Sequence, residues 1–255
     1  FFFFSVFYRI SFISISSYFD VTSQIKLAKK ETRGNIYDRN GIVLAATINS
    51  KSLSARPNLI NNVDLLSKKL VEILGIDEEI INNKLSSNKK FVWLKRNITP
   101  FEQQKIIDLG EINLEFHNET KRIYPFKNTA SHLVGFVNID QIGQRGIERF
   151  FNKSLSNSKD INLSIDINLQ QSVKNNLLET INYYKAESGL AIVLDISNGE
   201  VLSSVSYPDF NPNNNQSFNE INLINRVIQS NYEMGSTFKP LTVVNGYDYG
   251  IINPN

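Results

Sequence analysis

The chain has 255 residues, of which 41% are hydrophobic and 20% charged, a globular balance with enough apolar mass for one or two domains. Its net charge is +2, from 27 basic and 25 acidic residues, and no basic run is interleaved with aromatics, so no nucleic-acid partner is expected. The absence of cysteine excludes disulfides, thiolate catalysis and zinc–cysteine sites, and His117 and His132 are too far apart for a helical metal pair; no metal and no cofactor are expected.

The amino-terminal stretch FFFFSVFYRISFISISSYF is the most apolar in the chain. It is read as the distal part of a transmembrane anchor over residues 1–19, with Arg9 snorkelling toward headgroups. A signal-peptide remnant is less consistent, because no small-x-small cleavage site is near, and a buried soluble helix less so, given the phenylalanine density. The chain starts on Phe1 and stops in the turn-like GIINPN, so a longer gene product is expected on both sides.

Elements follow in order. DRNG, from Asp38 to Gly41, is a turn signal and IVLAA after it reads as a strand. Val63, Leu66, Leu70, Ile73 and Leu74 have helical spacing, with Gly75 as the stop. DEEIINNKLSS reads as a short helix capped by Asp77, and KKFVWLKRNI as a strand. Thr99, Pro100 and Glu102 form a capping-box start for a helix ending near Gly110. From Asn113 to Val137 the pattern is strand-like and interrupted.

The polar bridge SNSKD, near 156–160, is the expected domain boundary. Beyond it come a short strand, INLSID, and an amphipathic helix presenting Leu169, Val173, Leu177 and Ile181. Two apolar strands then flank the hairpin signal Ser197-Asn198-Gly199. A strand, a helix and a hairpin predict an α+β domain with an antiparallel sheet.

Near the end the chain reads NYEMGSTFKP. Proline is tolerated only in the first turn of a helix, so Pro240 places a helix start near Ser236, with Gly235 allowing the tight entry. Free N–H groups there favour developing negative charge. Three positions on, Lys239 shares the face of Ser236. A lysine activates a serine only when its own pKa is lowered by desolvation or a nearby cation; Met234, Phe238 and Leu241 are expected to supply the apolar surround. The pair supports acyl transfer by a nucleophilic serine, against the alternative of an ordinary Ser-x-x-Lys on a solvated helix.

YEMGSTFKP resembles the active-site segment of class B penicillin-binding proteins, the peptidoglycan DD-transpeptidases, for which Ser-x-x-Lys is a recognised signature. RGNIYDRNGIVLA (33–45), RIYPFKNTASHLVG (122–135) and GQRGIER (143–149) resemble, in order, three motifs of the non-catalytic pedestal domain of that family. KAESGLAIVLDISNGEVLSSVSYPDFNPNN resembles the opening of its transpeptidase domain, most closely in division-specific members.

The resemblance implies an anchor (1–19), a pedestal or dimerisation domain (20–158) and the first part of a serine β-lactamase-like transpeptidase domain (159–255). It implies a single-pass protein of the cell inner membrane with its main domains on the periplasmic side. Ser236 would be acylated by the D-Ala-D-Ala end of a peptidoglycan stem peptide, or by β-lactams, with Lys239 as base and the Ser236 backbone N–H as half of the oxyanion hole. A membrane glycosyltransferase and other cell-wall or division proteins are the implied partners.

In the pedestal motifs, Arg33, Asp38, Arg39, Arg122 and Glu148 are read as ion-paired and hydrogen-bonded structural residues rather than a substrate site. Gly34, Gly41, Gly135 and Gly146 are read as backbone requirements. His132 is read as a hydrogen-bonded structural histidine beside an apolar strand, and Trp93 as core. The sequence departs from the family in carrying neither Ser-x-Asn nor Lys-Thr-Gly after Ser236, so the chain alone is expected to be inactive. It also has a short bridge between GIERFF and INLSID where many relatives carry a longer excursion. Two rival readings remain: a β-lactam sensor or serine β-lactamase sharing Ser236 and Lys239, and a non-catalytic scaffold of the division machinery.

Overall fold

A computed structural model of the chain describes residues 32–214 and 218–253, together with Arg9. The expected anchor at 1–19 lies outside these residues, Arg9 apart. Among the described residues no helix is long and apolar enough to cross a membrane.

The architecture is α+β. Strand β1 (Ile36–Tyr37) turns through DRNG into the long strand β2 (Val43–Ala55). Helices α1 (Val63–Leu74) and α2 (Glu78–Leu85) follow, then β3 (Val92–Ile98), α3 (Pro100–Asp108) and β4 (Leu114–Ile123). Their ends are set by local chemistry. The Asp77 carboxylate accepts from the Glu79 N–H, Gly75 closes α1 in the left-handed region, and Thr99 and Glu102 complete the capping box of α3.

β2 is the centre of a five-stranded sheet. β4 runs antiparallel along it from Ala46 to Ala55 in unbroken register, while β3 and β1 share its other side. This pairing explains why β2 continues through the polar run TINSKS, well beyond the expected IVLAA. It also explains why β4 is one continuous strand. The interruption expected between Asn113 and Val137 comes only after it, where Lys127–Ala130 forms a 3-10 turn leading into the short helix α4 (Ser131–Val134). His132 therefore sits on a short helix.

Two buried clusters result. One packs Leu53, Leu94 and Leu114 of the sheet under Leu66, Leu70, Ile81 and Ile106 of α1–α3. The other gathers Ile36, Leu44, Tyr124, Val134, Leu155 and Ile167 at the base. Trp93, expected in the core, stays 36% exposed on the far face of the sheet, edge-on to Phe91 and His117. The reason is parity: Leu94 takes the inward position next to it.

Helices α5 (Gly146–Phe150) and α6 (Asn152–Ser156) lead to the polar bridge. α4 and α5 meet backbone to backbone: a Cβ on Gly135, whose φ is +77°, would stand 1.9 Å from the Arg145 carbonyl oxygen. The bridge is stitched to the start of the pedestal. Ser158 Oγ donates to the Thr32 carbonyl (2.6 Å), the Asp160 carboxylate accepts from the Asn35 N–H (2.7 Å), and β5 (Ile161–Asn162) adds in parallel to β1.

The long helix α7 (Ile167–Tyr184) then packs on the hairpin of β6 (Gly189–Leu194) and β7 (Val201–Tyr207), a separate two-stranded sheet. Its most buried side chains are Ile167, Gln170, Lys174 and Ile181; Leu169, Val173 and Leu177 of the expected apolar face are half-buried. Short helices α8 (Glu220–Leu223) and α9 (Arg226–Gln229) precede the last helix, α10 (Lys239–Asp248).

Candidate active site

Gly235 adopts a φ of +52° and opens a 3-10 turn, Gly235–Phe238, that runs directly into α10. The Thr237 N–H closes it on the Met234 carbonyl at 3.1 Å, and the Lys239 N–H closes on the Ser236 carbonyl. Pro240 falls in the first turn of α10, where its missing N–H costs nothing. In a 3-10 turn residues i and i+3 eclipse one another, so Ser236 and Lys239 stand one above the other. No hydrogen bond or ion pair joins their side chains among the described residues, and the Ser236 N–H has no acceptor there. Among the described residues Met234, Phe238 and Leu241, the apolar neighbours of Lys239, are 55%, 56% and 55% exposed. They lie on a turn and helix end that few other elements of this chain cover.

The pedestal motif residues converge on two places. At the first, the Glu148 carboxylate is fully buried between two guanidinium groups. It accepts from Arg33 Nε at 2.7 Å and from Arg122 Nε at 2.7 Å. Arg33 also donates to the Gln141 carbonyl, Asn152 Oδ1 and Ser156 Oγ, and Arg122 to the Gly34 carbonyl at 2.8 Å. The Tyr124 hydroxyl lies 3.4 Å from the same carboxylate, and burial, reinforced by that charge, pushes its pKa well up.

At the second place the DRNG turn meets the start of α7. Asp38, buried, accepts from the Asn40 and Ile42 N–H groups at 2.8 Å and from the Ile167 N–H at 3.2 Å. The Arg39 N–H donates to the Ile165 carbonyl, while the Arg39 side chain reaches Glu200 only at the surface. Gly41, at φ +78°, lets the turn close.

His132 donates from Nε2 to, and is held by, the Asn222 carbonyl at 2.8 Å, edge-on to Phe210; burial holds its pKa below the usual histidine value.

Several polar residues escaped the sequence reading. Gln170 ties α7 to the Ser203 hydroxyl, to both backbone groups of Ser204 and to the Thr129 carbonyl. Lys174 pairs with Asp209 in the interior. Arg145 donates to the Leu223 carbonyl at 3.2 Å. The one available signal was a glutamine and a lysine four apart on the helix face bracketed by Ile167 and Ile181. A cleft of about 1080 Å³ lies between Ile48, Asn97, Pro100 and Thr120, and no residue of 218–253 lines it. Among the described residues no cluster of potential ligands could hold a metal ion.

The sequence profile of the penicillin-binding protein dimerisation domain matches residues 28–194, and that of the penicillin binding protein transpeptidase domain matches residues 189–255. The chain belongs to the class B penicillin-binding proteins. It is 30% identical to the probable peptidoglycan D,D-transpeptidase PenA of Neisseria meningitidis, covering 86% of this chain and 43% of that one. It is 30% identical to the peptidoglycan D,D-transpeptidase FtsI of Escherichia coli K12 (88% and 44%), and 33% identical to FtsI of Buchnera aphidicola from Schizaphis graminum (88% and 45%). This penicillin-binding protein thus spans less than half the length of these relatives. Its fold is similar to the crystal structure of a peptidoglycan synthetase from Bifidobacterium adolescentis, at a TM-score of 0.60 and 22% identity over 88% of this chain and 51% of that one.

Proposed function

We propose that the protein is a peptidoglycan D,D-transpeptidase of cell-wall synthesis, serving the septum, with Ser236 as nucleophile and Lys239 as its base. In this reading residues 1–19 anchor it in the inner membrane, 20–158 form the pedestal and 159–255 begin the transpeptidase domain, on the periplasmic side. A membrane glycosyltransferase and other division proteins are its partners. The observation that carries the reading is the turn at Gly235–Phe238. It eclipses Ser236 with Lys239 and, among the described residues, leaves the Ser236 N–H without an acceptor, inside the residues that match the transpeptidase profile.

The steps follow from that turn. Ser236 Oγ attacks the carbonyl carbon of the D-Ala-D-Ala bond as its proton passes to the Lys239 amine. The oxyanion forms against the Ser236 N–H, at the positive end of the turn. The C–N bond breaks, D-alanine leaves with the proton from Lys239, and an ester on Ser236 remains. An amine of a neighbouring strand then attacks the ester, Ser236 recovers its proton, and the cross-link is made.

Fluorescent penicillin labelling of the intact natural gene product, beside its Ser236→Ala variant, tests this. A covalent label lost in the variant is expected. A label that turns over within minutes would move the reading to a serine β-lactamase. A folded, unlabelled wild type would leave the scaffold reading.

A further inference from the structure

The chain leading to Ser236 is gripped by the pedestal as well as by its own sheet. Helix α8 is only four residues long, so its carbonyls have no partners inside the helix and must find donors elsewhere. Four consecutive carbonyls do, from Ile221 to Ile224 just past its end, and Arg226 Nη1 serves the outer two, Ile221 O at 3.3 Å and Ile224 O at 3.5 Å. His132 Nε2, on α4, donates to Asn222 O at 2.8 Å. Arg145, just before α5, donates to Leu223 O at 3.2 Å. Ser206 Oγ, on β7, donates to Ile224 O at 3.4 Å and accepts from the Arg226 N–H at 3.0 Å. Upstream, Phe218 meets Phe136 at a tilt (ring centroids 4.4 Å apart) and Phe210 edge-on (5.2 Å), and Phe210 meets the His132 ring edge-on at 5.3 Å. Downstream, α9 packs on β6 and β7, and the Tyr232 hydroxyl reaches Arg226 O at 3.5 Å before the turn that carries Ser236.

We propose that His132 and Arg145 are positioning residues: together they form a latch through which the pedestal sets the placement of the Ser236 turn. The inference rests on the reading of Ser236 as the nucleophile. Neither side chain touches Ser236 or Lys239; each acts by fixing a carbonyl of α8. The two donors come from the second and third pedestal motifs, and α4 and α5 are locked against each other at Gly135, so the latch moves as one body. A nucleophile displaced by a fraction of an ångström loses rate rather than affinity.

The test uses the full-length natural gene product in its membrane. The acylation rate at saturating fluorescent penicillin, the half-saturating concentration and the melting temperature are measured for wild type, His132→Ala, Arg145→Ala and the double variant, with His132→Gln and Arg145→Lys as donor-retaining controls. Arg145 is exposed, so its variant is expected to fold. The saturating rate should fall about tenfold in the double variant at an unchanged half-saturating concentration and melting temperature, and recover in the donor-retaining variants. A wild-type rate in the folded double variant overturns the latch, as does a loss that follows melting temperature alone. Hydrogen exchange over residues 222–238 separates this from a failure of the Ser236 reading. If wild type takes no label but exchange quickens in the double variant, the Ser236 reading falls and the grip on the segment stands; with neither label nor altered exchange, both fall.

Discussion

Replacing Glu148 by glutamine should destabilise the pedestal severely. The Glu148 side chain is 0% exposed and those of its partners Arg33 and Arg122 are 3% and 1% exposed. Both carboxylate oxygens are used, by Arg33 at 2.6–2.7 Å and by Arg122 at 2.7 Å. Glu148→Gln keeps the volume but leaves two guanidinium groups in the interior with no counter-charge, and turns an NH2 toward a donor. Breaking a buried ion pair from one side costs about 3–5 kcal/mol, a large part of the roughly 5–15 kcal/mol that holds a domain together. The Arg39–Glu200 pair is the control: at 3.5 Å, with side chains 37% and 45% exposed, its loss in Arg39→Gln should cost about 0–1 kcal/mol. Urea unfolding followed by the fluorescence of Trp93, the single tryptophan, reads the pedestal sheet directly. A loss below about 1 kcal/mol in Glu148→Gln, or equal losses in the two variants, would refute the claim that burial sets the weight of these charges.

Gly135→Ala should be destabilised by at least about 2 kcal/mol, since its φ of +77° strains any side chain and the new Cβ would stand 1.9 Å from the Arg145 carbonyl oxygen; a near-wild-type urea midpoint would show that α4 and α5 do not need this approach. Glu102→Gln should flatten the acid limb of stability. Burial alone would raise the Glu102 pKa, but Lys95 at 2.6 Å and the Thr99 N–H at 2.7 Å outweigh it and hold the carboxyl below its usual value. A lowered folded pKa gives stability that is full above the ordinary glutamate value, about 4.3, and is lost as pH falls through the folded value. The gap between wild type and variant should therefore close on acidification from pH 6, and a gap constant down to pH 3 would count against the capping box as its source.

Helix ends were legible in the sequence because their chemistry is local. Asp77, Thr99 with Glu102, and Gly75 each lie within a few residues of the groups they satisfy. The Pro240 constraint on the Ser236 turn is local in the same way. The length of β2 was not legible, since TINSKS has no apolar alternation and is held extended by β4, a partner distant in sequence. The Arg33–Glu148–Arg122 cluster was visible as three charged motif residues, but their convergence on one carboxylate required the fold. Gln170 and Lys174 were hidden because a helical pattern counts apolar residues, whereas here the buried face answers the serines of β7 and Asp209. The surround of Lys239 is not legible in the same way: Met234, Phe238 and Leu241 are its neighbours in sequence, and what closes over them is not local.

The placement proposed for Ser236 draws on polar contacts that join the hairpin of β6 and β7 to residues 32–158. α7 covers one face, and the seam is polar: Gln170 bridges β7 to Thr129 of the pedestal, while Lys174 with Asp209 closes the loop after β7. Asp38 holds the first turn of α7 from the other side. Each of these contacts fixes the hairpin relative to the pedestal, and the latch at Asn222 and Leu223 then carries that frame to the segment before Ser236. A shift of α4 and α5 therefore reaches Ser236 through the carbonyls of α8.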